Sequence, residues 1–172
     1  MSSDGSPWPV NVSLAEARRG GARRLVADSR ARKKIAAFLE LESLDALEAD
    51  IQLSPWLDGA AVEGRWQAEI VQICSVSLEP FTTLLAGTFL VRVVPPGSPN
   101  APVVEQEIII DPDAEDPPDE LLGETIDLGG YVVEHLALEL DPFPRRPGVE
   151  FEAPAEPAAT SPFDVLARLK RE

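Results

Sequence analysis

The chain has few of the residues that build catalytic and metal centres. Its 172 residues include one cysteine, Cys74, and one histidine, His135. A single cysteine excludes an intrachain disulfide and cannot by itself hold a tetrahedral zinc ion. A general base needs a partner that orients it, and no cysteine or second histidine lies near His135 in the sequence. We therefore expect Cys74 to be a small buried side chain and His135 to be exposed or to lie at the edge of the core.

Long apolar runs, glycine-rich phosphate loops and Ser-His-Asp patterns are also lacking. No apolar stretch approaches the roughly 20 residues that span a bilayer. The first residues do not show the basic and then apolar pattern of a signal peptide. Phosphate loops and catalytic triads each require a specific spacing that is absent here. We therefore expect a cytoplasmic protein without membrane contact, catalytic residues, metal or cofactor.

Basic residues are scarce outside the first fifth of the chain. The formal net charge is -15, yet residues 1–34 carry eight basic and three acidic side chains, against seven and 27 in the rest. An acidic body repels RNA and DNA backbones and attracts basic partners, or it mainly serves solubility. Only the basic N-terminal segment is therefore expected to contact RNA. Its candidate contact residues are Arg18, Arg19, Arg23, Arg24, Arg30, Lys33 and Lys34.

Helical periodicity begins near Asp28. Apolar residues recur every four positions from Ala31 to Leu39, with Phe38 on the same side. This pattern predicts a helix whose start is capped by Asp28 or Ser29. The following leucines recur every three residues, which indicates a second short helix or a packed connection. They are Leu41, Leu44 and Leu47.

Period-two alternation dominates the middle of the chain. Over residues 62–70, apolar and polar side chains alternate, which predicts a strand with one face on the core. Residues 49–57 form the preceding strand, and the Asp58-Gly59 pair predicts a tight hairpin turn. Cross-strand pairing over this hairpin would account for Trp56 and Trp66.

Further strands and one more helix follow. We expect strands at residues 81–94 and 103–110, and a helix that Asp127 caps and that ends before Pro142. Several successive strands with short turns and few helices indicate an α+β fold. The sheet is expected to be antiparallel or a partly closed barrel, with a few flanking helices.

Residues 111–127 carry eight acidic and no basic side chains, interspersed with prolines. Carboxylates are the usual ligands of calcium and magnesium, but a calcium loop needs a glycine at its sharp turn, and residues 111–116 contain none. A solvated loop is therefore expected. The alternative is the two-metal site of a metal-dependent ribonuclease. Its carboxylates would be Asp111, Asp113, Glu115 and Asp116.

The sequence predicts four parts. Residues 1–27 form a basic arm, 28–146 a single α+β domain, and 147–160 a disordered linker rich in proline, alanine and glutamate. Residues 161–172 form a short helical motif with Ser161 at its N-cap. The narrow apolar stripe of this motif docks either on the body of the protein or on another molecule. The stripe consists of Phe163, Leu166 and Leu169.

Three segments resemble, in order, the motifs of the YceD family. The first is Gln72-Ile-Cys-Ser-Val-Ser-Leu-Glu-Pro-Phe81, where Cys74 is followed by Leu78, Glu79 and Pro80. The second is Ile126-Asp-Leu-Gly-Gly-Tyr-Val-Val-Glu-His-Leu-Ala-Leu-Glu-Leu-Asp-Pro-Phe-Pro144, which contains Asp127, Leu128 and Gly129. The third, Pro162-Phe-Asp-Val-Leu-Ala-Arg-Leu-Lys170, is similar to the family's terminal Asn-Pro-Phe-Ala-Val-Leu motif.

The resemblance implies a bacterial factor for accumulation or processing of large-subunit ribosomal RNA, with no established catalytic activity or cofactor. Many members carry Cys-x-Arg-Cys, whereas Val76 and Ser77 replace the arginine and the second cysteine here, which speaks against zinc. We therefore expect a non-catalytic ribosome-assembly factor that binds a ribosomal RNA precursor or a large-subunit ribosomal protein. The alternative is an acidic chaperone for a basic ribosomal protein, without RNA contact.

Overall fold

The computed structural model describes residues 5–102 and 116–150. They form an α+β fold, as predicted, with a mostly antiparallel sheet and a few helices. The elements in chain order are β1 (Asn11–Ser13), α1 (Leu14–Ala17), β2 (Gly21–Val26), α2 (Ser29–Phe38), β3 (Ser43–Trp56), β4 (Gly59–Ile73), β5 (Pro80–Val94), β6 (Asp119–Glu120), β7 (Thr125–Asp127) and α3 (Leu128–Leu138).

The main sheet has the strand order β2-β3-β4-β5-β6. Its first four strands are antiparallel, whereas the short β6 runs parallel to the end of β5, with Val93 opposite Asp119. The outermost strands of this order do not pair with each other, so the described residues form an open sheet and not a closed barrel. β1 and β7 form a separate antiparallel ribbon.

β3 and β4 form the long hairpin at the centre of the main sheet. Ile51 and Val62 are buried, while Asp50 and Glu63, their neighbours in sequence, are exposed. Successive side chains on a strand point to opposite faces, so one face of this hairpin lies on the core and the other in solvent. This confirms the strand predicted at residues 62–70.

The hairpin turn consists of Leu57 and Asp58, and Trp56 pairs with Gly59. The glycine is therefore the first residue of β4 and not a turn residue. A Cβ atom at Gly59 would lie 1.8 Å from the carbonyl oxygen of Val93 on the neighbouring strand. The close approach of β5, rather than the turn conformation, explains why a glycine stands at this position.

The two tryptophans near this hairpin do not pair with each other as predicted. Trp56 lies opposite Gly59, whereas Trp66 lies further along β4, opposite Ala49. Trp66 is 2% exposed and fills the core. The Arg92 guanidinium lies 5.4 Å from the ring centroid of Trp56, within the range of a cation–π contact.

A β-bulge explains the leucine spacing that suggested a second helix. The register between β3 and β4 shifts between Leu44 and Ala46, so Asp45 is an extra residue in β3. Because the extra residue shifts the alternation by one, Leu44 and Leu47 are both buried although they are three residues apart. The prediction of a helix or packed connection was wrong here, since β3 already begins at Ser43.

The basic N-terminal segment is part of the fold and not a separate arm as expected. β2 pairs with β3 from Gly21 to Val26, and β1 pairs with β7. Trp8, Val12 and Leu14 are buried in the core. Local sequence patterns do not show this arrangement, because the partner strand β7 follows much later in the chain.

α2 and α3 begin where their predicted N-caps stand. Asp28 Oδ1 accepts a hydrogen bond from the Ala31 N–H at 2.7 Å, which satisfies one of the free N–H groups in the first turn of α2. Asp127 precedes α3, but its side chain makes no hydrogen bond to the helix. Instead, Asp127 Oδ1 accepts a hydrogen bond from the Val10 N–H at 2.9 Å.

The core is one cluster between the main sheet and the elements that cover it. α1 contacts β3 and β4, and α3 contacts β1, β4 and β5. Each large apolar side chain buried in this way contributes about 1.5–3 kcal/mol of transfer free energy. The largest fully buried ones include Trp66, Ile35, Leu47, Ile51, Ile70, Ile126, Leu128 and Leu136.

Several predictions fall on residues outside the described ranges. These are the strand at 103–110, most of the linker at 147–160 and the helical motif at 161–172. Of the acidic segment at 111–127, the structure describes residues 116–127, which contribute the short strands β6 and β7.

Candidate functional site

The seven basic candidate residues are all exposed, but they lie on three different elements. Arg18 and Arg19 follow α1, and Arg23 and Arg24 belong to β2. The other three project from α2. They are Arg30, Lys33 and Lys34. The structure therefore divides the basic segment into three sets with different surroundings.

The two β2 arginines are paired with acids. Arg23 bonds to Glu16 of α1, and Arg24 Nη2 lies 2.7 Å from Glu48 Oε2 of β3. Hydrogen bonds from the Gln67 amide and from Arg24 lower the pKa of Glu48 below its ordinary value. Solvent screens exposed pairs of this kind, so they contribute little to stability. The two acids nevertheless neutralise part of the positive charge of Arg23 and Arg24, which weakens the attraction of these arginines for a phosphate group.

Arg18 also lies in the field of an acid. The side-chain amide of Asn100 donates to Asp58 Oδ1 at 2.9 Å. This hydrogen bond, the Ser98 side chain and the charge of Arg18 all lower the pKa of Asp58. Arg18 is therefore partly compensated, while Arg19 makes no ion pair with any residue of 5–102 or 116–150.

The three candidate cations of α2 differ from these arginines in their surroundings. Ile35 and Ala36 bury one side of the helix. Arg30, Lys33 and Lys34 are exposed and form no ion pair within the described part of the chain. Residues three and four positions apart are neighbours on a helix surface, so these cations form one patch.

Phe38 is the last residue of α2 and lies on the same exposed side of the helix. It is 56% exposed, so the prediction that it faces the core with Ile35 was wrong. Successive residues turn by about 100° around a helix, and a buried side centred between Ile35 and Ala36 leaves Phe38 on the other flank. The spacing of four residues between Lys34 and Phe38 was the sequence signal that Phe38 lies on the side of the cations. We call Arg30, Lys33, Lys34 and Phe38 the α2 outer face.

A second candidate site is the loop between β4 and β5. The Cys74 N–H donates to the Glu79 carbonyl and the Leu78 N–H to the Cys74 carbonyl, both at 2.9 Å. Leu78 has a φ of 59°, in the left-handed region, and its side chain is 75% exposed. The left-handed conformation is less favourable by roughly 1–2 kcal/mol for a residue other than glycine. The loop thus holds an apolar side chain out in solvent at an energetic cost.

This loop is joined to the segment that follows α3. The Ser75 N–H and hydroxyl both donate to the Pro144 carbonyl, at 2.8 and 3.0 Å. Arg146 Nη1 lies 2.7 Å from Glu79 Oε2. Phe143, in the same segment, is 71% exposed. We call residues 74–80 together with 141–146 the Cys74 junction.

The thiol at the centre of this junction is buried, as predicted. The N–H groups of Ser77 and Arg146 donate to Cys74 Sγ at 3.4 and 3.3 Å. The Ser77 hydroxyl and these N–H groups lower the pKa of Cys74 to about 6, whereas burial acts in the opposite direction. The surrounding hydrogen-bond donors thus favour the thiolate form of Cys74, whose side chain is fully buried.

Asp127, Leu128 and Gly129 attach the N-terminal strand to α3. In addition to the bond from Val10 to Asp127, the Leu128 N–H donates to the Val10 carbonyl at 2.9 Å. A Cβ atom at Gly129 would lie 2.0 Å from the carbonyl oxygen of Trp8, so no larger residue fits without a backbone shift. The role that the structure gives to these motif residues is therefore to hold the fold together.

The single histidine packs on an aromatic ring of β5. His135 Nδ1 lies 2.8 Å from the Tyr131 carbonyl oxygen, and its ring stacks on Phe89 with centroids 4.4 Å apart. In residues 5–102 and 116–150, no group of three or more His, Cys, Asp or Glu side chains is arranged to hold a metal ion. Of the carboxylates considered for a ribonuclease, Asp116 is described, whereas Asp111, Asp113 and Glu115 lie outside the described residues. The tail residues Phe163, Leu166 and Leu169 lie outside them as well.

Comparison with known proteins decides the family. The model of a family described as "Large ribosomal RNA subunit accumulation protein YceD" matches residues 62–170. The chain belongs to the YceD family. The match covers the Cys74 junction and α3 and starts after α2.

The other comparisons gave no relatives. No curated protein sequence and no solved structure matches the chain. Among the described helices, none is long and apolar enough to cross a membrane.

Proposed function

We propose that this YceD-family chain is a non-catalytic, cytoplasmic factor that supports the accumulation of large-subunit ribosomal RNA by binding. Its partner is a ribosomal RNA precursor or a large-subunit ribosomal protein. The observation that carries the proposal is the family match over residues 62–170. The role requires no cofactor, no membrane contact and no DNA.

Two surfaces support this role in different ways. The basic segment of residues 18–34 supplies the cations for an RNA contact, and all seven of its candidate side chains are exposed. The apolar stripe of the tail is proposed to dock a second component of the assembling subunit or the body of this protein. That stripe is Phe163, Leu166 and Leu169.

The test is the amount of large-subunit ribosomal RNA in cells. Deletion of the gene should lower large-subunit RNA relative to small-subunit RNA, and expression of the full chain from a plasmid should restore the ratio. A variant that ends at Thr160 shows whether the tail is required. If the RNA ratio is the same in the deletion strain and its parent, the proposed function is wrong.

A second candidate is an acidic chaperone for a basic ribosomal protein, without RNA contact. It is favoured by the charge of the family-matched region, which carries 20 acidic and six basic side chains. Charge reversal of Arg19, Arg30, Lys33 and Lys34, which form no ion pair within the described residues, separates the two roles. An RNA-binding factor should lose RNA affinity, whereas a chaperone should retain its affinity for purified large-subunit ribosomal proteins.

A further inference from the structure

The α2 outer face combines positive charge and an exposed aromatic ring on one helix. Arg30 and Lys34 are four residues apart, and Phe38 follows after four more, so the three side chains form a row along the helix. Lys33 lies beside this row. A ten-residue α-helix is about 15 Å long, so the row offers a short contact surface.

The inner side of the same helix fixes this orientation. Ile35 is 0% and Ala36 7% exposed, and both belong to the core cluster. Asp28 caps the helix start through its hydrogen bond from the Ala31 N–H. The burial of Ile35 and Ala36 therefore keeps the row on the solvent side of the helix.

Acidic groups limit the extent of this surface. Asp28 stands at the start of α2, and the exposed Glu40 follows its end. Next to the helix in sequence, Arg24 of β2 is paired with Glu48. A polyanion is therefore attracted to the outer face and repelled beyond it, which restricts the contact to a few nucleotides.

We infer that the α2 outer face binds a single-stranded RNA segment, with Arg30, Lys33 and Lys34 on phosphates and Phe38 stacked on a base. A peptide made only of acidic residues would use the cations alone, whereas a nucleotide carries both a negative charge and a flat π-face. The aromatic ring at the end of the cationic row thus favours RNA. The inference deepens the proposed function and rests on it, but it concerns residues outside the family-matched range.

The experiment uses the purified full chain and a fluorescein-labelled single-stranded RNA oligonucleotide, with anisotropy as the readout. The same RNA as a blunt duplex and a labelled polyglutamate peptide serve as comparison ligands. Phe38→Ala should weaken binding of the single strand about tenfold, and Phe38→Trp should restore it, because stacking on a base is lost and then regained. The control is Leu138→Ala, since Leu138 is a 75% exposed apolar residue at the end of α3.

The cations are tested by a charge-matched pair of triple variants. Arg30→Gln/Lys33→Gln/Lys34→Gln should lower the slope of log affinity against log salt by about 2, since each phosphate contact on a single strand contributes roughly 0.7. The control removes three cations that lie near acids, through Arg18→Gln/Arg23→Gln/Arg24→Gln, and should change the slope less. Circular dichroism of each variant verifies that the helix is retained.

Several results would overturn the inference. Tighter binding of polyglutamate than of RNA would assign the face to an acidic protein. Equal binding of duplex and single strand, with no effect of Phe38→Ala, would remove the stacking contact. No RNA binding by a protein whose gene deletion lowers large-subunit RNA would leave the proposed function standing and the inference wrong. RNA binding together with an unchanged RNA ratio in the deletion strain would leave the inference standing and show that the proposed function is wrong.

Discussion

The family-matched region and the region before it differ in charge but share one core. Residues 62–170 carry 20 acidic and six basic side chains, whereas residues 1–61 carry nine and eight. β3 of the first region and β4, which lies almost wholly in the second, pair over the length of the central hairpin. Trp8 and Val12 pack in the same cluster as α3. One folded unit therefore presents two surfaces of different electrostatic character.

The evidence for family membership and the proposed RNA-contact surface lie in different regions of the chain. The Cys74 junction and the start of α3 lie within the match, and their hydrogen bonds are mostly internal to the fold. The α2 outer face lies before the match and points into solvent. Variants at the contacts between the two regions test whether they fold as one unit.

The largest effect is expected at Gly129, where the N-terminal segment lies close against α3. Gly129→Ala places a methyl group 2.0 Å from the Trp8 carbonyl oxygen, and the backbone must shift. We expect a loss of about 3 kcal/mol in the free energy of unfolding, measured by urea denaturation. Gly123→Ala is the control, because its Cβ would meet no atom within 4 Å. Equal stabilities of the two variants would contradict the close packing of the N-terminal segment on α3.

A smaller loss is expected when the Asp127 carboxylate is removed. Asp127→Ala leaves the Val10 N–H without its acceptor, which should cost about 1–2 kcal/mol. Asp127→Asn keeps an oxygen acceptor at this position and should lose less. Hydrogen exchange of the Val10 amide should accelerate in the alanine variant. An unaltered exchange rate would mean that this bond does not hold β1 on the family-matched region.

The pH dependence of stability tests the Cys74 junction. The pKa of Cys74 is lowered to about 6 in the folded state, below its value in the unfolded chain. The thiolate therefore adds stability that is complete above the unfolded pKa and is lost as the pH falls towards 6. The difference in unfolding free energy between the wild type and Cys74→Ser should grow from pH 6 to pH 9.

Ser77→Ala is the companion variant for this measurement. It removes the hydroxyl that contributes most to the lowered pKa of Cys74, so the pH-dependent difference should shrink. Parallel stability curves for the wild type and Cys74→Ser over this pH range would refute the lowered pKa.

The smallest effect is expected at the Arg146–Glu79 ion pair of the same junction. Both side chains are partly exposed, at 44% and 58%, so solvent screens their attraction. A double-mutant cycle with Arg146→Gln and Glu79→Gln should give a coupling of about 0.5 kcal/mol that decreases with salt. A coupling several times larger would show that the pair, and not the backbone bonds at Ser75, holds the junction together.

Local periodicity and capping were sufficient to place the principal elements. The helix predicted from Asp28 is α2, the alternation over residues 62–70 is part of β4, and Asp127 stands at the start of α3. These signals are short in range, because a cap or an alternation involves neighbours in sequence. The strand predicted at 81–94 is likewise β5, which begins one residue earlier, at Pro80.

The errors occur where distant residues determine the local structure. The basic arm is instead β1, α1 and β2, since its partners lie on β3 and on the far downstream β7. The spacing between Leu44 and Leu47 comes from a bulge against β4. The exposure of Phe38 depends on which side of α2 faces the core. None of these relations is encoded in a window of neighbouring residues.

Composition, periodicity and motif order were thus sufficient for the fold class, the uneven charge and the resemblance to the YceD family, because each is a property of the linear chain. Folding determined which cations remain available to a partner. Arg24 meets Glu48 and Asp50 of β3, whereas Arg30, Lys33 and Lys34 meet no acid among the described residues. The physical reason is that compensation of a charge depends on distance in space, and strand pairing brings together residues that are far apart in sequence.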